Sequence, residues 1–219
     1  MPHITLANLR PHAACRTQNA PVWQSAALKA VAGSQINLMI LKRFQPGSRD
    51  RNIGELYGAI VAQARSADFY TSYGVPDTVE GRFDLIVLHL VLVLARFGRE
   101  AGAARGIGQR LFDVFCRDLD GNLREMGVGD LAVPKQMRRF GEAFYGRQTA
   151  YLAAFAAPDD RELENALDRN IFRGLGGGRG AVRLARYARA TLRRCEAQDE
   201  SALLRGDVVF PHPEAIPQS

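Results

Sequence analysis

Three short patterns in this 219-residue chain have residue types and spacings that could do chemistry. Asp118, Asp120 and Asn122 place oxygen ligands at alternate positions, as the opening of a calcium-binding loop does. Such a loop needs glycine at its sixth position and glutamate at its twelfth. Those two positions are Leu123 and Gly129 here. We therefore predict no calcium site and interpret these three residues as part of a polar, partner-facing side of a helix.

The second pattern is a glycine-rich segment before the last long helix. Gly176-x-Gly178-x-x-Ala181 is similar to a dinucleotide-binding fingerprint. That fingerprint follows a strand and is itself followed, roughly 20 residues later, by an acidic residue. No strand pattern precedes it, so we interpret residues 174–180 as a flexible joint. The helix start and Arg179 could still contact an anion.

The third pattern is a histidine, His89, inside an apolar run. No second metal ligand lies near it in sequence, so a hydrogen-bonded core histidine is the favoured interpretation over a haem or metal ligand. The chain has three widely spaced cysteines and no CxxC motif, which disfavours a zinc site or a disulfide framework. No histidine lies beside a serine or cysteine nucleophile motif. We predict that the chain is not an enzyme and holds no cofactor or metal.

The run around His89 predicts the central element of the fold. Leu85 to Ala95 is almost entirely apolar, and Asp77 and Glu80 precede it with capping-box spacing. A helix that is apolar on nearly all sides is a buried one. A membrane span needs about 20 apolar residues. Only eleven residues separate Asp84 from Arg96, so we predict a buried central helix rather than a span.

Apolar residues recur at helical spacing along most of the rest of the chain, and we find no strong strand. Further helices are expected from near Ile53, Leu111, Pro134, Asp160 and Val182. Gly127 has the position of a helix C-cap, and Pro134 that of a first helical turn. We predict an all-α fold: a single helical-bundle-like domain of about six helices around a buried central helix.

The charge of +6 is unevenly distributed. Residues 1–51 carry seven basic residues against one acidic residue, and the rest of the chain is balanced. We interpret 1–51 as a basic, disordered extension, either transit-like or a start-site error with translation starting at Met39. The predicted helical domain is 52–173. A glycine joint and a basic amphipathic helix follow at 174–205, and a loose tail at 206–219.

Two charged surfaces are candidates for contact with partners. Glu80, Arg82 and Asp84 alternate in charge at the start of the central helix. The favoured interpretation is an ion-pair network with Arg124 or Glu125, and the alternative is a charged rim around a protein-binding groove. The full candidate partner-binding set is Glu80, Arg82, Asp84, Asp118, Asn122, Arg124 and Glu125. The candidate set for docking to a membrane or RNA is Arg179, Arg183, Arg186, Arg189 and Arg193.

Several strings of residues occur in an order that resembles a known family. The resemblance spans about residues 53–172. The strings are YGAIVAQAR (57–65), GVPDTVEGRFD (74–84), LHL (88–90), FxxxxRDLD (112–120), NLREMGVGD (122–130), PK (134–135) and AFYGR (143–147). Together they resemble the ubiquinol–cytochrome c chaperone family.

This resemblance implies an all-helical factor for assembly of the respiratory cytochrome bc complex. It implies binding to cytochrome b or an early assembly intermediate. In mitochondrial members it implies that this binding involves a helper protein and occurs near the ribosome and the inner membrane. It implies no cofactor and no small-molecule substrate. The expected location is cytoplasmic and peripheral to the inner membrane, or mitochondrial for a eukaryotic source. The alternative function is a helical RNA-binding or peripheral membrane protein that uses the arginine-rich last helix.

The arginine-rich helix allows a specific expectation. A basic amphipathic helix is attracted to an anionic membrane surface. If this helix docks there or on the ribosome, reversing Arg183, Arg186 and Arg189 to glutamate lowers that association. At the level of the sequence we expect this triple variant to stay folded.

Overall fold

The computed structural model describes residues 48–98, 103–174 and 177–217. In these ranges the chain forms eight α-helices, one 3₁₀ turn and no strand, which confirms the predicted all-α class. Six of the helices are long and two are single turns. The helices are α1 (Ser48–Ala64), α2 (Asp68–Thr71), α3 (Val79–Gly98), α4 (Ala103–Glu125), α5 (Val133–Ala156), α6 (Arg161–Asn170), α7 (Gly178–Ala197) and α8 (Glu200–Leu204), and the 3₁₀ turn is Pro213–Ala215.

Helix α3 is the predicted central helix. Leu85 and all residues from Val87 to Ala95 are buried. Its sides contact α1, α4, α5 and α7, which explains why its sequence is apolar nearly all round. Among the described residues, no helix combines the length and hydrophobicity that crossing a membrane requires.

The start of α3 differs by one residue from the expected capping box. Thr78 is the capping residue, because its Oγ1 accepts a hydrogen bond from the Gly81 amide at 3.1 Å. Asp77 instead accepts a hydrogen bond from Arg82 Nε at 2.7 Å. Aspartate and threonine are both good capping residues, so sequence spacing alone could not choose between these neighbours.

The turn between α4 and α5 has the predicted chemistry. Gly127 adopts φ 78°, a left-handed conformation that glycine tolerates. The Val128 amide reaches back to the Leu123 carbonyl at 3.0 Å, which closes the end of α4. Pro134 lies in the first turn of α5, as expected.

His89 is a hydrogen-bonded core residue, as predicted. Its Nδ1 lies 2.8 Å from the Leu85 carbonyl, so Nδ1 carries the proton and donates it. Its Nε2 then accepts from the Tyr187 hydroxyl, also at 2.8 Å. Burial lowers the pKa of His89 to about 4, so the ring is neutral at physiological pH. Tyr187 in turn accepts a hydrogen bond from Gln63 on α1, which links three helices.

Helix α7 is packed into the same core as the preceding helices. Its buried side contains Leu184, Ala185, Tyr187 and Ala188, and it contacts α3 and α6. The segment 174–205, which we divided from the main domain, therefore contributes to that core. Residues 175 and 176 of the predicted joint lie outside the described residues. So do residues 1–47 of the predicted extension, whereas 48–51 begin α1.

The tail of residues 206–217 is docked on the domain, which corrects the prediction of a loose tail. The Phe210 ring meets His89 edge to face at 5.5 Å between centroids. The Tyr73 hydroxyl donates to the Pro213 carbonyl at 2.6 Å. Gln198 exchanges two hydrogen bonds with the backbone of Val209. Because His89 and Tyr73 lie more than 100 positions before the tail, the proline-rich sequence of the tail did not reveal these contacts.

A matched pair of tail variants tests this docking. Phe210→Ala is expected to lower the free energy of unfolding by about 1–2 kcal/mol, because it removes a half-buried ring that packs on His89. Val209→Ala should change it by less than about 0.5 kcal/mol, because Val209 is 51% exposed. Thermal or urea unfolding measures both. Equal, small effects would mean that the tail is not docked in solution.

Candidate partner-binding surface

Aromatic residues from three helices meet near the start of α3. Phe83 of α3 stacks on Phe115 of α4 at 6.2 Å between centroids and contacts Phe140 of α5 at 5.2 Å. Phe115 is buried, whereas Phe83 and Phe140 are half-buried. The packing of α3, α4 and α5 therefore leaves two aromatic rings partly open to a partner.

A hydrogen-bonded carboxyl lies beside these rings. The Tyr57 hydroxyl of α1 donates to Asp118 Oδ2 of α4 at 2.8 Å, and the Tyr57 ring packs edge to face on Phe115. Burial raises the pKa of Asp118, while hydrogen bonds from Tyr57 and Asn122 and the charge of Arg65 oppose that rise. We call Tyr57, Phe83, Asp118, Asn122 and Phe140 the aromatic–acidic patch. It combines half-buried rings with a carboxyl held in place by neighbouring side chains.

The Asp118 carboxyl of the patch is engaged by its neighbours. It accepts hydrogen bonds from the Tyr57 hydroxyl and from Asn122, which fix its position between α1 and α4. Throughout the part of the chain that the structure describes, no group of three or more histidine, cysteine or acidic side chains could hold a metal ion.

The remaining charged residues of the predicted partner-binding set lie at the start of α3 and at the end of α4. Glu80 is half-buried in the first turn of α3, where a negative charge complements the helix dipole. Arg82 is exposed and pairs with Asp77. Arg124 is exposed and pairs with Asp120 at 2.7 Å. This corrects the expected ion-pair network between the start of α3 and Arg124 or Glu125.

Arg124 also pairs with Asp130 in the following turn at 2.5 Å. Its partners are therefore carboxylates of its own helix and of the turn that follows. Glu125 is exposed, and its charge raises the pKa of Asp118, which places it beside the patch.

Asp84 is a core residue, which corrects its assignment to the partner-binding set. Its side chain is 1% exposed, and Oδ1 accepts from Arg147 Nη2 at 2.8 Å. Arg173 Nη2 lies 3.7 Å from Oδ2. Burial raises the pKa of Asp84 to about 7, although both arginines pull it downwards. Arg173 holds its position with φ 60°, a left-handed conformation that is uncommon for residues other than glycine.

Sequence reasoning missed several residues that build these two sites. Phe140 and Arg147 belong to neither of the candidate sets drawn from the sequence. The family-like strings nevertheless contain Tyr57, Phe83 and Arg147. That resemblance was the signal that could have pointed to them.

The arginines of α7 divide into two groups. Arg189 pairs with Asp160 and donates to the Asp159 carbonyl at 2.9 Å. Arg183 lies 4.6 Å from the centre of the Tyr73 ring and donates to the Ser72 carbonyl. These contacts hold α7 against the rest of the fold, and reversing Arg183 and Arg189 to glutamate would break them. This corrects the expectation that the triple variant at Arg183, Arg186 and Arg189 stays folded.

The other members of the docking set differ in exposure. Arg186 is half-buried, whereas Arg179 and Arg193 are exposed. Docking through this set stays a prediction, and the exposed pair is the part of it that a membrane or RNA could reach.

Comparison with known proteins identifies the family. A family model described as ubiquinol-cytochrome C chaperone matches residues 71–210, which is more than half of the chain. The chain belongs to this family. The matched region includes Phe83, Asp118, Asn122 and Phe140 of the patch and the tail as far as Phe210, whereas Tyr57 precedes it.

Relatives of the ubiquinol–cytochrome C chaperone family agree with this assignment. A ubiquinol-cytochrome-c reductase complex assembly factor 1 from Xenopus laevis is 26% identical over 157 residues, covering 71% of this chain and 78% of the frog protein. The Homo sapiens protein of the same description is 26% identical over 167 residues, covering 75% of this chain and 56% of its own length. This chain therefore spans little more than half of the human relative.

A solved structure has a similar fold. The crystal structure of the Cbp3 homolog from Brucella abortus is 35% identical, with a TM-score of 0.72. The similarity covers 78% of this chain and 94% of that chain. The family is named as a chaperone and its relatives as assembly factors, so this chain belongs to a family of non-enzymatic proteins.

Proposed function

We propose that this protein is an assembly factor for ubiquinol–cytochrome c reductase and that it binds cytochrome b or an early assembly intermediate through the aromatic–acidic patch. The observation that carries the proposal is the family match over residues 71–210, in which four of the five patch residues lie. The relatives are named as assembly factors of the reductase complex, which implies that those proteins contact one of its components. We propose the patch as the surface through which this chain makes such a contact.

The chemistry of the patch suits such a client. A membrane subunit that has not yet met its partners exposes apolar helices, and half-buried aromatic rings can cover an apolar helix side. Aromatic residues are also enriched among the residues that dominate binding energy. Phe83 and Phe140 supply the rings, and the Asp118 carboxyl can fix register by accepting a hydrogen bond from the client.

A deletion strain tests the function. Haem difference spectra of its membranes are expected to show selective loss of the b and c haem signals of the reductase, because the complex would not assemble. Normal spectra would contradict the assembly role. Steeply salt-dependent RNA binding by the purified protein, together with normal spectra, would favour the RNA-binding alternative, for which the exposed Arg179 and Arg193 are the supporting observation.

A single substitution tests the patch within that strain. Phe140→Glu is expected to weaken client binding by about 30-fold or more, the loss typical of a residue that dominates an interface, and so to lower the reductase haem signals. Ala153→Glu is the control, because Ala153 is exposed on the same helix. Circular dichroism melting of both purified variants checks the fold. A folded Phe140→Glu protein that restores wild-type spectra would show that the client binds elsewhere.

A further inference from the structure

The turn between α4 and α5 presents a leucine to solvent. Leu131 is 99% exposed, and Gly129, Asp130 and Ala132 around it are exposed too. The amides of Ala132 and Val133 both donate to the Gly129 carbonyl, at 2.7 and 3.2 Å, so the turn is closed by hydrogen bonds. A single exposed apolar residue is common on protein surfaces and has no meaning by itself. Its meaning here depends on the charges that surround it.

Three basic residues continue from Leu131 along α5. Lys135 and Arg138 are exposed and Arg139 is half-buried. They follow Leu131 by four, seven and eight positions, a spacing that places them on one side of the helix within about 12 Å of its start. None of the three forms an ion pair with a residue in the described ranges 48–98, 103–174 and 177–217.

These positive charges do not stabilise the helix that carries them. The N-terminal end of a helix has a partial positive charge and disfavours cations. Helix α5 nevertheless has Lys135 in its first turn and no acidic residue there. Of the nearby acids, Asp130 is paired with Arg124, and Glu142 lies one turn beyond Arg138. An anionic surface in front of this end would relieve the unfavourable charge.

We propose that Leu131, Lys135, Arg138 and Arg139 form a membrane-docking tip, in which the leucine inserts between lipid headgroups and the three cations contact anionic lipids. A flat lipid surface fits this tip better than a protein partner does. The leucine projects from a turn into solvent, and leucine is under-represented among the residues that dominate protein interfaces. Leucine surrounded by basic side chains is the composition of membrane-surface elements.

The tip is distinct from the arginines of α7 and independent of the client-binding proposal. It adjoins the aromatic–acidic patch, because Phe140 directly follows Arg139 on α5. Docking through the tip would hold the patch beside the lipid surface, where a membrane-protein client emerges.

Vesicle sedimentation with the purified full-length chain tests the tip. The protein is expected to bind phosphatidylcholine vesicles only when they contain an anionic lipid such as phosphatidylglycerol. The triple variant Lys135→Glu, Arg138→Glu, Arg139→Glu should lower the partition coefficient by about 100-fold or more. Leu131→Ser should lower it by about tenfold, because one leucine side chain is no longer buried in lipid.

Two control variants separate the tip from other surfaces. Val209→Ser removes an exposed apolar residue elsewhere and should leave binding unchanged. Reversing the exposed α7 residues Arg193 and Arg194 to glutamate should also leave the lipid selectivity and most of the binding intact. Loss of binding in the α7 variant but not in the tip variants would overturn the proposal. So would equal binding to neutral vesicles, or no binding to any vesicle.

A Leu131→Trp variant reports insertion directly. Its fluorescence, after subtraction of the wild-type signal from the single native tryptophan, should shift to shorter wavelength on anionic vesicles and be quenched by brominated lipid chains. An unquenched tryptophan on vesicles that bind the protein would show that the leucine stays in water. If Leu131→Ser impairs assembly of the reductase while vesicle binding is unchanged, the tip contacts a protein and the membrane proposal is wrong.

Discussion

Replacing Asp84 with leucine is expected to lower the free energy of unfolding by about 3–5 kcal/mol, the cost of leaving a buried charge without its partner. Asp84 is the carboxyl that the buried Arg147 faces at 2.8 Å, and Arg147 is only 8% exposed. A guanidinium remains charged throughout the physiological pH range, so it cannot escape the mismatch by becoming neutral. Arg173 is 29% exposed, so its charge is the one that water can partly accommodate.

A double variant separates the ion pair from the loss of packing. Asp84→Leu with Arg147→Met replaces both charges by apolar side chains, and such replacements are often neutral or stabilising. We expect the double variant to recover most of the loss. Asp77→Ala is the surface control: both partners of the Asp77–Arg82 pair are more than half exposed, so its loss should change the free energy of unfolding little. Urea unfolding of the wild type and of these three variants at pH 7 gives the four values. A double variant as unstable as Asp84→Leu alone would refute the charge argument.

The same carboxyl gives stability a pH dependence of known sign. Burial raises the pKa of Asp84 from its ordinary value of 3.8 to about 7 in the folded protein. Between these values the folded state holds a proton that the unfolded state has released. The contribution of Asp84 to stability is therefore complete below pH about 4 and declines as the pH rises to about 7. Asp84→Asn should lack this decline. If the free energies of unfolding of the wild type and of Asp84→Asn change in parallel between about pH 4 and pH 7, this prediction is wrong.

The buried helix α3 could be predicted because its sequence leaves no alternative. Eleven residues without a charge are too short to span a membrane and too apolar for the surface. The glycine at the end of α4 and the proline at the start of α5 likewise act through local backbone geometry, which sequence shows directly. Such features depend on residues within a few positions of one another.

The features that could not be predicted depend on residues far apart in the chain. Arg147, the partner of Asp84, lies 63 positions after it, so the acid was assigned to the surface instead. Arg189 belongs to a block of seven arginines without an acid, a pattern typical of a solvated surface, yet Asp160 meets it 29 positions earlier. The two open rings of the patch, Phe83 and Phe140, come from α3 and α5 and meet beside Phe115 of α4, so no single stretch of sequence shows them together.

Gly81→Ala is the second substitution with a large expected effect, and it reverses the usual rule for helices. Alanine in a helix normally stabilises by about 1 kcal/mol relative to glycine. Gly81 lies in the first turn of α3, and a Cβ added there would come 2.1 Å from the Pro76 carbonyl oxygen. The obstructing atom is backbone, so the segment before α3 must move. We expect a net loss of about 2–3 kcal/mol.

Gly146→Ala supplies the matched control for this prediction. Gly146 is also helical, and a Cβ added there meets no atom within 4 Å. It should gain about 0.5–1 kcal/mol. Thermal unfolding of the two variants should therefore shift in opposite directions. If Gly81→Ala also gains stability, the segment before α3 does not approach the helix as closely as described.

The effect at Gly81 should extend to function because of what the first turn of α3 carries. Phe83 lies two positions after Gly81, so a displaced helix start moves this half-buried ring of the aromatic–acidic patch. Gly81→Ala is therefore expected to lower the reductase haem signals in the complemented deletion strain even at a temperature where the variant is folded, whereas Gly146→Ala restores them fully. If a folded Gly81→Ala protein restores the haem signals fully, displacing the start of α3 does not disturb client binding. The client would then bind a surface other than the patch.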